Sequence, residues 1–250
     1  MRQFIYSMMI KEKIEVQFKF HDIEHITNNE HIIKKICYDD KNNVNIYWLG
    51  RCSYTPIWNL QKQVHQLRVD NKINDIVLLL EHNHVYTLGK NADKNHVLPS
   101  RPDDAEVIQI DRGGDVTYHG PGQLVGYPIL DLHNYKMSIT WYLKVLSNSI
   151  IKMLSDLGID SHYREDYVGV WIDDSKIAAF GVRLSKWVTM HGFALNINPD
   201  IKYYNGLIPC GIFECGVTSM TNYLKKELTV KEVASIYSRY FIKYLNKELE

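Results

Sequence analysis

The run Arg112-Gly113-Gly114-Asp115-Val116-Thr117-Tyr118-His119-Gly120-Pro121-Gly122-Gln123 packs four glycines, a proline, an arginine, a tyrosine and a histidine into twelve residues. Glycines without side chains let the main chain approach a bound group closely, and successive N–H groups in such a loop can line a concavity. Neither nucleotide fingerprint fits. There is no G-x-x-x-x-G-K-[ST], and no G-x-G-x-x-G between a strand and a helix with an acid at the expected distance. A G-x-S-x-G elbow is also absent, so any acyl chemistry needs a nucleophile elsewhere in the chain.

Four cysteines, Cys37, Cys52, Cys210 and Cys215, are too few and too scattered for a disulfide scaffold, and reduced thiols in an intracellular compartment are expected. Cys210 and Cys215 make a C-x4-C step, half of a zinc signature, but Cys37 and Cys52 supply no matching knuckle and no metal site is expected. His82-x-His84 would set two imidazoles on one face of a strand, where satisfied core or loop histidines are commoner than ligands.

These groups need elements to hold them. Val44 to Leu49 alternates as a strand does, and Thr55-Pro56 opens a helix running to about Asn71. Ile76 to Glu81 reads as a buried strand, with Val85 to Leu88 a continuation after the polar break at His82-Asn83-His84. Val107 to Asp111 is another strand, leading into the glycine loop. Ser138 to Leu157 carries apolar residues at helical spacing and stops at Gly158. Val168 to Ile172, Ile177 to Leu184 and Val188 to Ile197 read as a meander, and Thr229-x-x-Glu232 is a capping box ahead of a helix to about Asn246. The irregular interleaving implies an α/β fold, a mixed β-sheet with helices packed on it. Residues 1–43 lack clear periodicity and read as a partly disordered or targeting extension, with the main domain over 44–250.

The chain resembles the lipoyl(octanoyl) transferase family, which moves an octanoyl group from acyl carrier protein to a lysine of lipoyl domains. Three blocks carry the resemblance: Arg112 to Gln123 with Leu124-Val125-Gly126-Tyr127-Pro128; Ser175 to Arg183; and His191 to Asn198, leading to Ile208-Pro209-Cys210-Gly211-Ile212 and Val217-Thr218-Ser219. The likeness spans about residues 44–245 and implies a fold like that of the biotin and lipoate protein ligases. Lipoate protein ligases are the closest rival. Their glycine loop has a triple glycine followed by Ala-Val, whereas this chain has Gly113-Gly114-Asp115-Val116-Thr117, and they lack a cysteine in the Pro-Cys-Gly context.

The resemblance makes Cys210 the acyl-thioester nucleophile and Lys176 the residue that activates it. It places substrate around Arg112, Gly113, Gly114, Asp115, Val116, Thr117, Tyr118 and His119, and around the backbone of Ala179, Phe180, Gly181, Gly192, Phe193 and Ala194, whose amides are oxyanion-hole candidates. The chemistry is coherent. A thiol of pKa ~8.5 is a small fraction thiolate at neutral pH, and a nearby ammonium lowers that pKa. Exchange between thioesters is close to thermoneutral and transfer to an amine is downhill, so no ATP and no other cofactor is expected. An acceptor lysine of pKa ~10.4 is only about one part in a thousand neutral near pH 7.4, so a base is needed. Once Cys210 is acylated, Lys176 loses the charge that kept it protonated and can serve.

The implied partners are octanoyl-acyl carrier protein as donor and lipoyl domains of 2-oxoacid dehydrogenase complexes, or the glycine cleavage H protein, as acceptor. An ATP-dependent lipoate-protein ligase and an inactive lipoyl-domain-binding scaffold are the alternatives. Twenty-nine basic and twenty-nine acidic side chains in 250 residues give a formal charge of zero, against a nucleic-acid partner. The longest aliphatic run, Ile76 to Leu80, is far short of the ~20 residues that cross a bilayer, so no membrane partner is expected. Met1 to Ile10 carries Arg2 and no acid, a weak presequence signal followed at once by Glu12 and Glu15. The bias to Asn, Lys, Ile and Tyr resembles that of an AT-rich eukaryotic genome, and since eukaryotic members of the family that the chain resembles work in mitochondria or plastids, the resemblance implies a mitochondrial location, with the cytoplasm as alternative.

Overall fold

The computed structural model describes residues 17–40, 43–208 and 216–247. Strand β2 (Val44–Cys52) shows why a sheet forms with both faces covered: Val44, Ile46 and Trp48 point one way, and Tyr47 and Leu49 the other, all buried. Strand β3 (Ile76–His82) repeats this, with Val77 and Leu79 on the first face and Ile76, Leu78 and Leu80 on the second. Helices α3 (Ile139–Asp156) and α4 (Val230–Lys247) pack on the first face through Tyr142, Leu146, Ile150, Tyr237 and Phe241. Helix α2 (Tyr54–Val69) closes the second through Ile57, Leu60 and Val64. Burial of apolar surface on both sides, at ~25 cal/mol per Å², holds these three layers together.

The remaining strands are β1 (Phe18–Asp22), β4 (Val85–Leu88), β5 (Glu106–Gln109), β6 (Val116–His119), β7 (Gln123–Ile129), β8 (His162–Arg164), β9 (Gly169–Ile172), β10 (Ser175–Ser185), β11 (Val188–Asn196) and β12 (Gly216–Val217). The large sheet runs β1-β2-β3-β7-β11-β10-β9-β8, with β12 beside β10. It is mixed: β1, β2 and β3 are parallel, and β3, β7, β11, β10 and β9 alternate in direction. The meander is present as β9-β10-β11. A second sheet has the order β5-β4-β6.

The helix signals act as chemistry requires. Ser138 accepts the Trp141 N–H at 3.2 Å, and Gly158 ends α3 with φ +81°. Glu232 accepts the Thr229 N–H at 2.8 Å while Thr229 Oγ1 accepts the Glu232 N–H at 3.2 Å, completing the capping box of α4. Among the described residues no helix is long and apolar enough to cross a membrane.

Two expectations are corrected. The fold does not begin at Val44: β1 lies parallel to β2, with Phe18 opposite Val44 and Asp22 opposite Trp48. Helix α1 (Asn29–Tyr38), capped by Asn28 accepting the Glu30 N–H at 2.7 Å, buries Ile32 and Ile36 in the second core. The strand FKFHD is short and half exposed at a sheet edge, which gives it no apolar run to betray it. Val85 to Leu88 does not continue β3. It pairs with β5 and β6 in the second sheet, so the break at His82-Asn83-His84 is a change of sheet. Met1 to Ile10, read as a presequence signal, lies outside the described residues.

Candidate active site

A cavity of about 370 Å³ lies between the β10–β11 pair and the glycine loop, within the range of about 300–1,000 Å³ usual for ligand pockets. Its sheet wall comes from cross-strand pairs, Ala179 with Ala194, Phe180 with Phe193 and Gly181 with Gly192. Strand β9 ends opposite Ala179, so beyond that point the outer edge of β10 is open. The glycine loop docks there, Gly113 donating its N–H to Val182 O at 3.2 Å.

Arg112 fixes the loop. Its buried guanidinium donates to Thr87 O at 2.6 Å, Thr87 Oγ1 at 3.0 Å and Gly113 O at 2.9 Å, tying the loop to β4. The arginine stem needs a bare neighbour: a Cβ on Gly181 would sit 3.0 Å from Arg112 Cδ.

Of the residues expected around substrate, Arg112, Gly114, Asp115, Val116, Thr117, His119, Ala179, Phe180, Gly181, Gly192, Phe193 and Ala194 line the cavity, together with Lys176. Gly113 and Tyr118 do not. Tyr118 alternates away from Thr117 and His119 along β6; its OH lies 2.7 Å from His84 Nδ1 and its ring stacks 5.1 Å from Tyr203. The oxyanion expectation also narrows. Strand β11 is interior, flanked by β7 and β10, so the amides of Phe193 and Ala194 serve the ladder, whereas among the described residues the edge of β10 past Ala179 has no second strand.

Lys176 stands on β10 opposite Trp171 of β9 and Val217 of β12. Its Nζ lies 4.9 Å from the centre of the Trp171 ring. Cys210 falls in residues 209–215, outside the described residues. The chain leaves for that segment from Leu207 and returns at Gly216 and Val217, and all three line the cavity.

A polar network that the sequence gives no sign of lines the cavity beside the apolar wall. His119 Nδ1 donates to Gln123 Oε1 at 2.8 Å, and Gln123 Nε2 donates to Asn196 Oδ1 and to the Tyr204 hydroxyl, both at 2.9 Å. Asn196 Nδ2 donates onward to Thr218 O at 3.0 Å. Burial, with His82 and Arg112 nearby, pushes the His119 pKa down to about 3. Burial likewise pushes His82 down to about 4, its Nδ1 donating to Cys52 O at 3.0 Å and its Nε2 accepting from the Tyr127 hydroxyl at 2.7 Å. His82 is therefore a satisfied core histidine rather than a ligand.

His191, in the left-handed region at φ +59°, donates from Nε2 to Asp111 at 2.9 Å. That bond holds the Asp111 carboxyl at about 2, while burial pushes the imidazole down. Asp111 also pairs with Arg183, so this cluster ties the base of the glycine loop to β10 and β11. Tyr54, Trp171, His191 and Tyr204 line the cavity without having been singled out from sequence. Only His191 lay in a motif that could have pointed to it.

A family model described as the lipoyl protein ligase A/B catalytic domain matches residues 53–242. An octanoyltransferase of Caldicellulosiruptor bescii is 40% identical over 212 residues, covering 82% of this chain and 93% of the relative. One from Christiangramia forsetii is 42% identical over 223 residues, covering 81% and 95%. Among solved structures, the bi-partite lipoate protein ligase of Thermoplasma acidophilum superposes with a TM-score of 0.64 at 16% identity, covering 81% of this chain and 83% of that one. Biotin protein ligase of Aquifex aeolicus gives 0.54 at 17% identity, covering 82% and 72%. At these identities the structural likeness concerns the fold, and it is the one the sequence blocks imply.

Proposed function

The chain belongs to the lipoyl protein ligase A/B catalytic-domain family and is an octanoyl-transferring enzyme of protein lipoylation, and from this we propose that it works through a thioester on Cys210. Octanoyl-acyl carrier protein is the donor and a lipoyl-domain lysine the acceptor, as in the 2-oxoacid dehydrogenase complexes or the glycine cleavage H protein.

The observation that carries the reading is the place of Lys176, the one lysine among the described residues lining the cavity. Its ammonium favours a thiolate nearby, and Leu207 and Gly216, which border the segment carrying Cys210, line the same cavity. In the first half-reaction the Cys210 thiolate attacks the donor thioester, and Lys176 gives its proton to the departing carrier thiol. In the second, neutral Lys176 takes a proton from the incoming ammonium and the freed amine attacks the acyl carbonyl. The alkyl chain lies against Ala179, Gly181, Phe193 and Ala194. His119, Gln123, Asn196 and Tyr204 also line the cavity, and the hydrogen bonds among them reduce the unpaired polarity they present to an apolar chain.

Intact-protein mass spectrometry after mixing with octanoyl carrier protein tests this. One octanoyl adduct is expected, labile to hydroxylamine, absent in Cys210→Ala and formed orders of magnitude more slowly in Lys176→Ala. Transfer that requires ATP and survives Cys210→Ala would instead indicate a ligase. Lipoyl-domain binding with no adduct and no product would indicate an inactive scaffold.

A further inference from the structure

One main-chain carbonyl sets the direction of every hydrogen bond in the polar network. Thr218 O can only accept, so the Asn196 atom bonded to it at 3.0 Å is Nδ2, and Oδ1 is left as the acceptor. Asn196 Oδ1 takes its bond from Gln123 Nε2 at 2.9 Å, which leaves Gln123 Oε1 to accept from His119. A second carbonyl agrees, since Gln123 Nε2 also lies 3.4 Å from Tyr118 O. The proton of His119 therefore sits on Nδ1. Burial holds the imidazole pKa at about 3, so at neutral pH Nε2 is an unprotonated acceptor.

His119 is 7% exposed and lines the cavity, and no described residue bonds its Nε2. The ring cannot turn to find a partner within the fold. Reversing it breaks the bond to Gln123, and it is flanked by the parallel ring of Tyr54 at 6.2 Å and by His82 at 5.9 Å. A plain alkyl chain laid over Nε2 takes an acceptor out of water and gives it no donor. The chemistry that suits this atom is a neutral donor, because the charge of nearby Arg112 opposes an ammonium. A thiol is a weak donor, whereas a hydroxyl is a full one and small enough to ride on an alkyl chain.

Resting on the acyl-transfer reading above, we propose that the cavity takes medium-chain acyl groups that carry a hydroxyl, with the hydroxyl hydrogen donated to His119 Nε2. His119 then selects among acyl chains by where the hydroxyl stands along them. The hydroxyl lies outside the bonds that change: C–S breaks and C–N forms as with octanoate, and His119 neither gains nor loses a proton.

Calorimetric titration of the full chain with octanoic acid and with a positional series of monohydroxy-octanoic acids tests this without calling on the reaction. One isomer is expected to bind at least as tightly as octanoic acid, and the others ~10-fold more weakly, since a hydroxyl buried away from a partner costs affinity. In His119→Phe the order reverses, and octanoic acid binds more tightly than that isomer. A wild-type chain that binds every isomer more weakly than octanoic acid, or a His119→Phe chain that keeps the same preferred isomer, overturns the proposal. Should His119→Phe fail to fold, a crystal structure of the wild-type complex with the preferred isomer decides, and a hydroxyl bonded anywhere other than Nε2 overturns it. A chain that binds none of these acids overturns the acyl reading of the cavity and this proposal together. One that binds them in the expected order yet forms no acyl-enzyme overturns the thioester reading alone.

Discussion

Lys176 and Trp171 are direct cross-strand partners, and the lysine's Nζ lies 4.9 Å from the centre of the indole. The face of an aromatic ring attracts a cation, by ~0.5–2 kcal/mol depending on exposure, and Trp171 is buried. On the other side the lysine stem passes Gly169, where a Cβ would lie 3.2 Å from Lys176 Cε and 2.7 Å from Ala178 O. Trp171→Leu is expected to slow acylation by ~3- to 30-fold with little change in KM, because the ammonium loses its seat while the acyl wall stays. Trp171→Phe should retain most of the rate. Stopped-flow acylation of the two variants checks this, and an unchanged rate in Trp171→Leu would refute it.

Gly181→Ala addresses the opposite wall. The new Cβ would meet Arg112 Cδ at 3.0 Å, and Arg112 cannot retreat while it is bonded to Thr87 and Gly113. Overpacking of this kind costs ~1–3 kcal/mol. A fall in thermal midpoint of several degrees and a raised KM for the octanoyl donor are the expected outcomes. Calorimetry and steady-state kinetics report on each separately.

Much of this frame is legible in the sequence, for reasons that can be named. Both faces of β2 and β3 are buried, so their apolar runs are nearly continuous, and α3 and α4 announce themselves through Ser138, Gly158 and the Thr229–Glu232 box. Much of the cavity lining lies inside the recognised blocks, in the consecutive runs Lys176 to Gly181 and His191 to Ala194. Tyr118 shows the limit. It sits within the densest motif, yet alternation turns it toward Tyr203, into a small core that only tertiary structure brings together. The network of His119, Gln123, Asn196 and Tyr204 joins residues up to 85 positions apart, and no local pattern records such a contact.

Acid should destabilise the fold through two imidazoles. His82 and His119 are pushed down to about 4 and about 3 by burial, against ~6.5 in an unfolded chain. Below pH ~6.5 the unfolded state therefore binds protons that the folded state refuses. Stability is highest above that pH and falls on acidification toward 4, by up to ~1.4 kcal/mol per pH unit for each imidazole. Urea unfolding at pH 7 and pH 5 should show a smaller loss in His119→Gln than in wild type. Equal losses in the two proteins would remove His119 from this account.

Gln123 is the hub of the network and its most sensitive point. Its carbonyl accepts a hydrogen bond from the His119 Nδ1–H, and its amide serves Asn196 and Tyr204. Gln123→Leu strands a buried imidazole N–H and weakens the hold on Asn196, at ~1–3 kcal/mol for each group left unpaired. Tyr204→Phe removes one hydroxyl whose neighbours, Gln123 and Asn196, still bond each other, so its cost should be near ~1 kcal/mol. Because Asn196 also donates to Thr218 O, just past the strand paired with Lys176, Gln123→Leu should lower the acylation rate as well as stability. Urea denaturation with single-turnover acylation distinguishes the two variants. If they cost the same in both measurements, Gln123 is not the hub.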